Sequence, residues 1–74
     1  MDTRYIVKFR GAHVTNIEYN PVYLNLSQNL NDSLVFHEKK EADAFIGVLP
    51  DRYCLEDFDV VPVRLVLEEI TNTR

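Results

Sequence analysis

The chain has 74 residues, 46% hydrophobic and 27% charged, with a formal net charge of −4. That length gives one domain, residues 1–74, with a small core, and the composition is that of a folded chain rather than a disordered one. The longest uncharged apolar stretches, Val60 to Val63 and Leu65 to Leu67, fall far short of the roughly twenty residues a membrane helix needs; the single cysteine excludes an internal disulfide.

The N-terminus moves directly into a strand-like pattern and has no apolar leader, so a cytoplasmic location is expected. Tyr5 to Arg10 alternates, with Tyr5, Val7 and Phe9 on one face and Lys8 and Arg10 on the other, and predicts a half-buried first strand. Gly11-Ala12-His13 breaks it. Tyr19 to Leu26 predicts a second strand in which Val22, Leu24 and Leu26 share a face, with Pro21 at its start because proline lacks a ladder donor. Ser27 to Ser33 is rich in turn formers and reads as a connection. Leu34-Val35-Phe36 predicts a short third strand.

Residues 36 to 49 hold the clearest helical pattern. Ala42, Phe45, Ile46 and Leu49 form one apolar stripe at i, i+3, i+4 and i+7, Glu38 falls in the first turn, and Pro50 supplies the stop. An acidic loop, Asp51 to Asp57, follows. Phe58 to Leu67 predicts a long fourth strand with Val61, Val63, Leu65 and Leu67 on one face. Glu68-Glu69-Ile70 could prolong that strand or curl into a helical turn.

The expected fold is therefore α+β, a small antiparallel meander with one helix on one face, in the order β-β-β-α-β. A right-handed crossover would return the fourth strand parallel to the first, giving sheet order 4-1-2-3. The uncovered face would keep Ile6, Tyr23, Val60 and Val66.

The segment Phe36-His37-Glu38-Lys39-Lys40-Glu41-Ala42-Asp43-Ala44-Phe45, with the Tyr-x-Val-x-Phe opening at Tyr5 to Phe9, resembles short uncharacterised proteins encoded by bacterial phages and prophages. The resemblance implies a small acidic protein that binds and modulates a larger host or phage protein. It carries over no functional residues.

Few constellations carry chemistry. Cys54 with His13 or His37 lacks any supporting spacing, and the carboxylates around Cys54 disfavour a thiolate. Cys54, His13 and His37 contain no paired metal-ligand motif, and two glycines thirty-six residues apart, Gly11 and Gly47, make neither a dinucleotide nor a P-loop motif. No catalytic residue, metal or cofactor is expected. Arg4, Lys8 and Arg10 line the first strand, but Tyr5 and Phe9 point away from Lys8 and Arg10, and the net charge opposes a polyanion, which argues against direct nucleic-acid binding.

Charge is unevenly placed. Residues 1–37 hold three acids (Asp2, Glu18, Asp32) and three bases (Arg4, Lys8, Arg10), so residues 38–74, with nine acids and five bases, carry the whole −4. The candidate partner-binding residues are accordingly Asp51, Tyr53, Glu56, Asp57, Phe58 and Asp59, an acidic patch with flanking aromatics that could dock a basic surface by imitating phosphates. The alternative is a structural protein acting through self-association. A monomer or weak dimer is expected, with any dimer formed along the fourth strand.

Overall fold

A computed structural model of the chain describes residues 3 to 64. Strand β1 (Thr3–Phe9) forms where the alternation predicts it. It turns back through Arg10 and Gly11, whose φ values of 52° and 86° give the positive-φ pair of a two-residue hairpin. Gly11 adopts this conformation without steric cost, whereas Arg10 needs outside support. That support is Asp57: the Arg10 N–H donates to its carbonyl at 2.9 Å, and the guanidinium lies 3.1 Å from its carboxylate.

The hairpin leads into β2 (Ala12–Glu18), a strand the sequence pattern had hidden. Val14 and Ile17 both join the core although they are three residues apart, because a bulge shifts the register between Val14 and Asn16. A period-two search misses such a strand. Residues Tyr19 to Val22, expected to be extended, are the turn from β2 into β3 (Tyr23–Ser27). Leu24 is buried in β3, whereas Tyr23 and Asn25 point away from it and bind Glu18, as the alternation predicts.

Strand β4 (Val35–Phe36) pairs with β1 at Tyr5 and Ile6, and β2 occupies the same edge further on, at Lys8 and Phe9. Helix α1 (Lys39–Gly47) follows. Its start is secured by Glu41, whose carboxylate accepts the N–H groups of His37 (3.0 Å) and Glu38 (3.2 Å), so a residue inside the first turn does what His37 cannot. Ala42 and Ile46 are buried beneath it, while Phe45 and Leu49 pack beside them, which is the stripe read from the sequence.

Strand β5 (Phe58–Arg64) lies along the other edge of β1 over its whole length, from Thr3 opposite Arg64 to Phe9 opposite Phe58. The result is α+β: one helix on a five-stranded antiparallel sheet, order β3-β2-β1-β4 with β5 bonded to β1. The order follows the expected outline, with the last strand beside the first. Its direction does not: β5 runs antiparallel to β1. The helix connects β4 to β5, and both are antiparallel to β1, so the parallel pair made by the crossover is β4 and β5 with β1 between them.

The core consists of Val7, Val14, Leu24, Ala42, Ile46 and Phe58, with Tyr5, Phe9, Phe36, Phe45, Tyr53 and Val60 packed against it. Fully burying a valine, leucine, isoleucine or phenylalanine side chain is worth about 1.5–3 kcal/mol, so this short list carries much of a small domain's stability. Val60 stands opposite Val7 and faces the helix, which places Val61 and Val63 on the far side of the sheet. This reverses the expected phase of the strand by one residue and with it the faces of Val60, Val61 and Val63, while Ile6 lies on the far face as expected. Phe58 sets the phase, because it is drawn into the core against Phe9 with ring centroids 4.8 Å apart. Ile6, opposite Val35 and Val61, is 1% exposed on that far side. The expectations for Leu65, Val66, Leu67 and Glu68 to Ile70 lie outside the described residues.

Candidate functional site

The segment between α1 and β5 is held at several points. The Tyr53 N–H donates to the Pro50 carbonyl at 2.9 Å, and the Asp57 N–H to that of Cys54 at 3.0 Å, closing the 3-10 turn Leu55–Asp57. The Tyr53 ring packs edge-on against Phe9 at 5.6 Å and beside Phe58 at 6.4 Å. Its hydroxyl accepts the Leu24 N–H at 3.1 Å, and the neighbouring Arg52 guanidinium donates to the Val22 carbonyl while stacking at 5.4 Å over the Tyr53 ring. Asp57 closes the other end on Arg10.

These ties divide the six candidate residues. Phe58 is 9% exposed and belongs to the core. Tyr53 is half-buried, with its ring and hydroxyl both engaged. Asp57 is committed to Arg10, whose left-handed backbone it supports. Asp59 is exposed on β5 directly across from Lys8, on the sheet rather than the loop. Asp51 and Glu56 are exposed on the loop, and neither has an ion-pair partner among the described residues.

Two apolar side chains that the sequence reading passed over accompany them. Leu55 is 64% exposed and Val48 is 79% exposed, although both are large enough to be buried at a gain. The signal of Leu55 was present in the sequence as an apolar residue inside an acidic run, Cys54-Leu55-Glu56. It had no periodicity to set it apart from core residues.

The histidines and the cysteine are dispersed among the described residues. Cys54 is exposed and free, and His13 donates from Nδ1 to the Ser27 carbonyl at 3.2 Å. Among the described residues, no group of His, Cys, Asp and Glu is gathered to hold a metal ion, and no helix is long and apolar enough to cross a membrane.

The hydrogen-bonded carboxylate of Glu18 lies elsewhere, at the end of β2 beside β3. The Glu18 carboxyl is held below the usual carboxylate range by the Asn25 side-chain amide and the Tyr23 hydroxyl, which donate to it at 2.9 and 2.8 Å. The same bond raises the Tyr23 hydroxyl above its ordinary value. Comparison of the chain with protein-family models, with curated proteins and with solved structures gives no match.

Proposed function

We propose that the protein is a non-enzymatic binding module of phage type, whose loop 51–57 docks on a basic surface of a larger protein. The observation that carries this reading is the contrast within the loop. Arg52, Tyr53 and Asp57 fix its backbone to β3 and to the β1–β2 turn, while Asp51, Leu55 and Glu56 face outward. A loop already ordered before binding avoids much of the conformational cost of association. Asp51 and Glu56 would attract a Lys- or Arg-rich surface, and Leu55 would supply an apolar contact at its centre.

The test is affinity capture with the parent and with a triple variant, Asp51→Asn, Leu55→Ser and Glu56→Gln, followed by identification of what is retained. The reading expects a salt-sensitive partner that the triple variant loses while melting like the parent. Capture of the same partner by both proteins would contradict it.

A further inference from the structure

The two outer strands of the sheet are protected differently. On β5, Pro62 removes a backbone donor, and Asp59 and Arg64 place charges along the strand. On β3 the protection comes from another segment. The Leu24 N–H and the Val22 carbonyl, both pointing away from β2, are taken by the Tyr53 hydroxyl and by Arg52. The Asn25 carbonyl points the other way, toward β2, where it accepts the Thr15 hydroxyl at 3.2 Å. Strand alternation therefore directs the Leu24 carbonyl and both backbone groups of Leu26 outward. Among the described residues nothing bonds them.

The strand itself carries no charge, although the Arg52 guanidinium is brought to its start at Val22. No charged residue occurs between Glu18 and Asp32, in a molecule whose net charge is −4. The exposed large apolar side chains there are Tyr19, Tyr23, Leu26 and Leu30, with Leu26 45% exposed. Natural edge strands are usually blunted by lysine, proline or a bulge; the Leu24 to Ser27 stretch has neither lysine nor proline, and the bulge beside it lies in β2, between Val14 and Asn16.

We infer that this edge pairs with the same edge of a second copy, antiparallel about a two-fold axis at Leu26. In that register each Leu26 N–H donates to the Leu26 carbonyl of the other copy. Tyr53 and Arg52 keep their bonds to Leu24 and Val22. An isologous contact brings each patch against its own image, so an acidic or basic patch would repel itself. The Tyr19–Asn31 stretch meets its image with no charge of its own to bury, and Arg52, held at Val22, lies away from an axis at Leu26. The inference is independent of the acidic-loop reading.

Sedimentation equilibrium in reductant, which removes a Cys54-linked species, tests it from micromolar to millimolar chain. The expected result is a mass rising toward twice that of the chain, with slower hydrogen exchange at the Leu26 amide as the dimer fills. Leu26→Lys, at an exposed position, should weaken association at least tenfold while preserving the melting curve. A monomer at every concentration, or a dimer unaffected by Leu26→Lys, would overturn the inference. Pairing lost instead through a charge placed on β5, such as Val63→Lys in a variant verified to be folded, would place the contact on the other edge.

Discussion

The Tyr53 hydroxyl and the Leu24 amide, 29 residues apart in the chain, meet at 3.1 Å, and this bond joins the acidic loop to the edge of the sheet. Tyr53→Phe keeps the ring against Phe9 and Phe58 but leaves a part-buried N–H without its acceptor. The expected cost is about 1 kcal/mol, with faster hydrogen exchange at Leu24. An unchanged exchange rate would show that the hydroxyl does not hold this edge.

Phe58 was a candidate for docking and is a core residue. Phe58→Ala should cost about 3–5 kcal/mol, a loss that would unfold much of a small domain and be read directly as a lower denaturation midpoint. Asp59→Asn, one residue along on the other face, should stay within about 0.5 kcal/mol of the parent. Equal effects would mean that β5 does not have the phase that Phe58 sets.

Arg10 takes φ 52° against Asp57, so the two residues should be coupled in a double-mutant cycle. Arg10→Ala should cost about 1 kcal/mol at most, from loss of the ion pair with Asp57, since the Cβ in the left-handed region is common to both residues. Arg10→Gly should be milder, since glycine accepts that conformation freely. Greater damage from glycine than from alanine would contradict the turn assignment.

Glu18 and Tyr23 predict opposite limbs of a pH profile. The folded Glu18 carboxyl lies below its unfolded value, so its contribution is present above the unfolded value and is lost as pH falls through the folded one. The folded Tyr23 hydroxyl lies above its unfolded value, so its contribution is present below that value and is lost as pH rises through the folded one. Tyr23→Phe should move the Glu18 titration, followed by carboxyl NMR, back toward the ordinary carboxylate range. A midpoint that does not move would remove Tyr23 from that bond.

Regular patterns in the sequence led to the elements that obey them. The Ala42–Ile46 stripe marked the helix, and the Tyr5-Val7-Phe9 alternation marked the central strand. Strand β2 was not legible because the bulge puts Val14 and Ile17 on one face at a spacing of three. The phase of β5 was not legible because Val60, Val61 and Val63 suit either face, and the contact of Phe58 with Phe9 decides between them. The loop was recognised by its charge. Its division into anchors and exposed residues depends on Arg10, Val22 and Leu24, distant in sequence and unmarked by any motif.

Hydrogen–deuterium exchange on the captured complex tests the central claim most directly. Docking through the loop predicts slowed exchange at amides within residues 51 to 57, centred on Leu55 and Glu56, with the core amides of Val7 and Val14 unchanged. Protection that leaves residues 51 to 57 untouched and falls elsewhere on the sheet would contradict the assignment of this loop as the binding site.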